Sequence, residues 1–176
     1  MKLALFDLDH TLLNTDSDHS WGEFFFFFFL VDPVQHRAMN DKFYDDYKKG
    51  QLDPYAYNEF VFQFLTQHDN DYLVELHQLF MQKVIRPQMR PEGFKAIERH
   101  RVAGHALVGI TATSEFITAP IFREFGITEI IATNAEVIDG KYTGKVINTA
   151  CYQQGKLVRL EQWLEGRDVT ESWAYS

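Results

Sequence analysis

The sequence has a single cysteine, Cys151, in 176 residues. That excludes an intramolecular disulfide and fits a reducing compartment. No paired histidine motif accompanies Cys151, so it reads as a packing residue rather than a nucleophile. Positive charge is the scarcer sign: 17 Lys and Arg stand against 25 Asp and Glu, a net charge of −8. Nucleic acid is therefore disfavoured as a partner, because phosphate backbones call for Lys/Arg patches. A small phosphorylated ligand needs only a few local cations and stays possible. The longest apolar run, Phe24 to Val31, has eight residues, whereas a membrane span needs roughly 20. The N-terminus enters an apolar strand directly, without the basic, apolar and small-residue pattern of a signal peptide. Internal repeats and linker-like tracts are also missing. With 45% apolar residues, the chain reads as soluble and cytoplasmic, one domain or a domain carrying a large insertion.

What is present is an order of elements. Leu3 to Phe6 read as a short, buried strand without polar alternation. Residues 17–86 then carry helix signals and no strand alternation. "DPVQHRAMNDKFYDDYKKG" offers Asp32 as N-cap, Pro33 at the first helical position and Gly50 as a stop. "DPYAYNEFVFQFL" repeats that start at Asp53 and Pro54. "DNDYLVELHQLFMQKV" spaces Leu73, Leu76, Leu79, Phe80 and Val84 as a helix. The run "FFFFFF", Phe24–Phe29, would be apolar all round a helix, which suits a core or domain interface.

From Pro91 strands and helices alternate. "PEGFKAIERHRVAG" reads as a helix closing near Gly104, "HALVGI" as a strand with "TATSEF" as its loop, and "ITAPIFREFG" as a helix. "TEIIAT" is a third strand, and "EVIDGKYTGKV" has the DG turn of a hairpin. "YQQGKLVRLEQWLEG" puts Leu157, Leu160, Trp163 and Leu164 on one helical stripe, and "SWAYS" opens a further strand. The alternation predicts an α/β fold with a parallel sheet.

In open α/β sheets ligands bind at the carboxyl ends of strands. Asp7 and Asp9 follow the first strand two residues apart, where extended chain points both side chains the same way. Such crowding of negative charge is relieved by a hard divalent cation with oxygen ligands. A helix cap or Asx-turn is the competing reading, although either needs only one acid. Thr111, directly after "ALVGI", can hold a phosphate oxygen with the following backbone N–H groups, or serve merely as an ST-turn. Lys156, opening a helix, is either solvated surface or a cation for a phosphoryl group. His10, Asp18 and His19 do not need to be read as a metal cluster, since the DxDxT framework already accounts for that region.

In that order, the stretches "FDLDHTL", "GITAT" and the "GK" of Gly155–Lys156 resemble the first three motifs of the haloacid dehalogenase superfamily. The helical block after the first motif resembles the cap of its phosphoserine-phosphatase-like branch. "DSDHSWGEF", "TAPI" and "DGKYTGKV" are similar to a bacterial group there that includes histidinol-phosphate phosphatases. The resemblance implies a Rossmann-like core of residues 1–15 and 87–176 and a helical cap of residues 16–86. It implies Asp7 as nucleophile, Asp9 as general acid and base, and Mg2+ held by the Asp7 carboxylate and the Asp9 carbonyl. Thr111 and Lys156 would hold the phosphoryl group.

Asp16 falls where the branch has a substrate-contacting acid, or else it only caps the first cap helix. Residues 38–85 hold no arginine for a substrate carboxylate, so a small amine-bearing phosphate such as histidinol phosphate is expected over phosphoserine. The family's fourth motif, an acidic loop, follows a further strand. "ESWAYS" resembles that strand and the sequence stops at Ser176, so the core reads as incomplete at its C-terminus. This implies weak activity and a tendency to associate. A shortened module that binds without turnover, and a phosphotransferase with another acceptor, remain open.

Overall fold

The apolar stretch after Met1 does form a strand. In a computed structural model, which describes residues 1–28 and 33–176 with the backbone alone at Pro33 and Gln35, Lys2–Phe6 is β1. It lies inside a five-stranded sheet of order β4-β3-β2-β1-β5. The other strands are β2 (Ala106–Ser114), β3 (Glu129–Ile138), β4 (Lys141–Ile147) and β5 (Glu171–Tyr175). β1 pairs in parallel with β2 on one side and β5 on the other. β2 and β3 are parallel, and only β3–β4 is antiparallel.

Both faces of β1 are covered, which is why its sequence lacks polar alternation. Ala4 and Phe6 enter the large core shared with the helices. Leu3 joins Val108, Ile131 and Cys151 in a second core on the opposite face. That second face is covered by α7 (Gln154–Leu164) through Leu160, Trp163 and Leu164. Leu157 departs from the expected stripe and is 52% exposed, because the stripe wraps beyond the strip of sheet that α7 covers.

Between β1 and β2 the chain forms α1 (Ser17–Phe27), α2 (Pro33–Lys48), α3 (Pro54–Thr66), α4 (Asn70–Phe80) and α5 (Pro91–Val102). α4 runs on through a π turn at Met81–Ile85 and a short 3₁₀ turn. α6 (Glu115–Glu124) follows β2. Asp53 caps α3 as expected, accepting from the Tyr55 and Ala56 N–H groups. The expected start at Asp32 and the last ring of the phenylalanine run, Phe29, lie outside the described residues.

The rest of that run is less uniform than an all-round apolar helix suggests. Phe24 and Phe25 are buried against Trp21, Phe64 and Phe80, whereas Phe27 is 73% exposed. Neighbours cover one side of α1 only, and Arg37 lies over the Phe26 ring. Among the described residues, no helix is long and apolar enough to cross a membrane.

Two further differences bear on the site. β2 does not stop at Ile110: its extended backbone runs through Thr111, Ala112 and Thr113 to Ser114. The register against β3 shifts between Ile110 and Ser114, and the Thr133 hydroxyl bonds the Ala112 carbonyl. Tertiary hydrogen bonds thus hold straight a segment whose residues favour turns. The hairpin is as the DG pair predicts, with positive φ at Asp139 (51°) and Gly140 (77°). β3 itself is continuous, parallel partner first and antiparallel partner second.

Cys151 packs in the second core, and its N–H donates to Thr133 Oγ1. Burial pushes its thiol up to about 11, against the nearby Lys156 and Arg159 charges. We expect native protein at pH 8 to react with a disulfide reagent about tenfold or more slowly than protein unfolded in guanidinium. Equal rates would contradict the burial.

Candidate active site

Five residues marked in the sequence, Asp7, Asp9, Asp16, Thr111 and Lys156, line one cleft. It encloses about 710 Å³ of space, its open mouth included. The Asp7 N–H donates to the Tyr175 carbonyl (3.0 Å), extending the β1–β5 ladder by one residue. The chain then turns back on itself. The Leu8 carbonyl accepts from the N–H groups of Thr11, Leu12 and Leu13, and His10 takes a positive φ of 56°. Leu8 is fully buried. The two aspartates are therefore fixed by backbone bonds on either side rather than carried on a free loop.

Their environments differ. Lys156 Nζ lies 3.2 Å from Asp7 Oδ1, both side chains about one-third exposed at 30% and 28%. Asp9 is held from two directions: Oδ1 accepts the Ser17 N–H at the start of α1 (2.7 Å), and Oδ2 accepts the Thr113 hydroxyl (3.0 Å). Those bonds favour its ionised form, but burial and the Asp16 charge outweigh them and push the Asp9 carboxyl up to about 7. One carboxylate is thus paired with a cation, while its neighbour keeps a proton near neutral pH.

Thr111 is buried in β2, and its Oγ1 accepts the Thr113 N–H (3.2 Å). The hydroxyl hydrogen therefore has to point to another acceptor. Lys156 owes its position to Gly155. A Cβ there would lie 2.0 Å from the Ala150 carbonyl oxygen, closer than any heavy atoms not bonded to each other can come. Asp16 serves as N-cap of α1 and accepts the His19 N–H (2.8 Å) while its side chain borders the cleft. The capping reading holds, and it leaves the carboxylate beside the space where a ligand would sit.

Sequence reasoning missed several lining residues. Thr113 carried a readable signal, because in a strand it shares a face with Thr111. Tyr57 and Asn58 of α3, Asn40 and Tyr47 of α2, and Tyr152 carried none, since only packing brings them to the cleft. Asp18 and His19 also reach the cleft wall. His19 bonds Asn40 (3.0 Å) and stacks on Tyr44. It stands with Glu23 and Asp41, ligand atoms within 4.8 Å of one another. Among the described residues that line the cleft there is no arginine, and Lys156 is the one lysine.

A profile of the haloacid dehalogenase-like hydrolases matches residues 4–176. The chain belongs to this family. It is a hydrolase of the family's phosphatase type, with the α/β fold that its motifs implied. It is 43% identical over 170 residues to a histidinol-phosphatase of Neisseria meningitidis serogroup C, covering 96% of this chain and 77% of that one. A crystal structure of a protein of unknown function from Bordetella pertussis Tohama I superposes with a TM-score of 0.89 at 39% identity. That match covers 98% of this chain and 80% of the other. A substrate-bound phosphoserine phosphatase shares the fold at 18% identity, TM-score 0.67, over 98% and 76% of the two chains.

Proposed function

We propose that this haloacid dehalogenase-like hydrolase is a magnesium-dependent phosphomonoesterase that works through an aspartyl-phosphate. Its substrate would be a small amine-bearing phosphate ester, with histidinol phosphate the compound that fits best. The observation that carries the reading is the contrast between the two carboxyls, Asp7 paired with Lys156 and Asp9 buried on bonds from Ser17 and Thr113 with its carboxyl pushed up to about 7. Two acids whose environments differ in this way suit two different roles.

In the first step an Asp7 oxygen attacks phosphorus and the bond to the ester oxygen breaks. Asp9 gives its proton to the departing alcohol. In the second step Asp9 takes a proton from water, the water oxygen attacks phosphorus, and phosphate leaves with Asp7 restored. Lys156 balances charge at Asp7 and the phosphoryl oxygens, and the free hydrogen of Thr111 donates to one of those oxygens.

Asp7 and Asp9 both line the cleft, and oxygen donors are what a hard divalent cation prefers. The Asp7 carboxylate and Asp9 carbonyl would hold Mg2+, which when bound screens phosphate charge. A partner of nucleic acid is not expected at a net charge of −8.

The Neisseria relative supports the substrate, as does a cleft with acids toward α1 and, among its described lining residues, no arginine for a substrate carboxylate. We expect kcat/KM for histidinol phosphate to exceed that for phosphoserine by about tenfold or more. A preference for phosphoserine would refute the assignment. A second expectation concerns Asp9. Asp9→Asn should lower phosphoryl transfer from an alkyl phosphate by about 10²–10⁴-fold, and far less from p-nitrophenyl phosphate, whose leaving group needs no proton. Below a pH of about 7 Asp9 holds the proton and above it loses it. Pre-steady-state alcohol release should therefore decline as pH rises through that region, a decline absent in Asp9→Asn. Equal losses for both esters would remove Asp9 from the acid role.

A further inference from the structure

The wall of the cleft formed by α1 and α3 contains a carboxyl group that the proposed phosphoryl chemistry does not use. Asp18 sits on the first turn of α1. Its Oδ1 is shut off from solvent and has no hydrogen-bond partner. Tyr57, from α3, lies near enough for its hydroxyl to favour the charged form of the same carboxylate. A buried acceptor without a donor costs free energy, so such an atom calls for a ligand or a functional explanation.

The surroundings point to the class of ligand. Tyr57 and Phe43 meet edge to face, their centroids 5.2 Å apart. Tyr44 and Tyr47 add further aromatic lining to the cleft. Aromatic faces beside carboxylates suit a planar, cationic or N–H-bearing ring. Asp16 already spends one oxygen on the α1 cap, whereas Asp18 Oδ1 is uncommitted. Lys156 stands at the phosphoryl end, so no lysine or arginine among the described lining residues neutralises Asp18. Burial and the Asp16 and Asp9 charges push the Asp18 carboxyl well above the usual carboxylate range, and a bound N–H donor or cation would relieve that cost.

We propose that Asp18 and Tyr57 form a specificity subsite that receives the ring N–H of an imidazole-bearing amino-alcohol phosphate, leaving Asp16 for the amine. The subsite rests on the phosphatase reading for its place in a reaction, but its binding is testable without turnover. It also explains why Asp18 stays in the α1 first turn despite its buried, unmatched oxygen: the missing donor arrives with the ligand.

The test is isothermal titration calorimetry on the full chain at pH 7 with L-histidinol and L-phenylalaninol. The second probe keeps the amine, the alcohol and the ring shape but has no ring N–H. The wild-type chain should bind L-histidinol about tenfold or more tightly than L-phenylalaninol. Asp18→Asn, which removes the charge in nearly the same volume, should close most of that gap, with a thermal melt confirming that the variant is folded.

No binding of L-histidinol, or equal affinity for the two amino alcohols in the wild-type chain, overturns the subsite even if the variant fails to fold. An undiminished gap in folded Asp18→Asn also overturns it. Hydrolysis of histidinol phosphate is scored separately. An Asp18-dependent gap without hydrolysis keeps the subsite and removes the substrate reading. Hydrolysis without a gap does the reverse.

Discussion

Asp7→Asn should abolish turnover: we expect kcat for any phosphomonoester to fall on the order of 10⁴-fold or more, the scale at which nucleophile deletions act. The amide occupies the same volume, and the backbone N–H to Tyr175 is unaffected, so the fold is retained. What is lost is the carboxylate that would form the bond to phosphorus in the proposed mechanism, and with it the partner of Lys156 at 3.2 Å. The expectation separates a nucleophile from a residue that only binds, because loss of uniform binding would raise KM with kcat unchanged. A second readout avoids reliance on rate. Beryllofluoride with magnesium should be retained by the wild-type chain, as followed by fluorine NMR, and not by Asp7→Asn. A variant keeping a tenth of the wild-type kcat would end the covalent mechanism.

Gly155→Ala should cost nearly as much activity as removing the lysine beside it. The added methyl would lie 2.0 Å from the Ala150 carbonyl oxygen, a backbone atom that has no rotamer to escape into. The first turn of α7 must shift, and Lys156 shifts with it. A displacement of about 1 Å in a catalytic group is worth about 10²-fold in rate. We therefore expect kcat to drop by about that factor in both Gly155→Ala and Lys156→Ala. The double variant should be little worse than either single one, since both act through one contact. Measured kcat values that multiply in the double variant would show that Gly155 matters for another reason.

Much of the architecture was legible along the chain. β1, the DG hairpin, the Asp53 cap and the succession of helices after β1 each depend on neighbours within a few residues. Periodicity and turn chemistry report such dependence directly. The DxDxT stretch, Thr111 and the GK pair were legible through their order, and the structure brings Asp7, Asp9, Thr111 and Lys156 to one cleft. Where the reading fell short, a long-range contact intervened. β2 passes straight through "TATS" because Thr133 holds Ala112 from the neighbouring strand. Leu157 lies in the right stripe yet beyond the sheet that would cover it. Phe27 belongs to the same run as Phe24 and Phe25 but faces away from the elements that bury them.

By itself, then, the sequence determined the order of elements and the types of group available: two aspartates after a strand, a threonine on the next, a lysine opening a helix. Only the tertiary structure decided what those groups can do. It pushes the Asp9 carboxyl up to about 7 through burial and the Asp16 charge, against the bonds from Ser17 and Thr113, and gives Asp7 a cation from 149 residues away. It also leaves Asp18 short of a donor among the rings of α2 and α3. Protonation and pairing are set by desolvation and by distances through space, and neither is encoded in the spacing of residues along the chain.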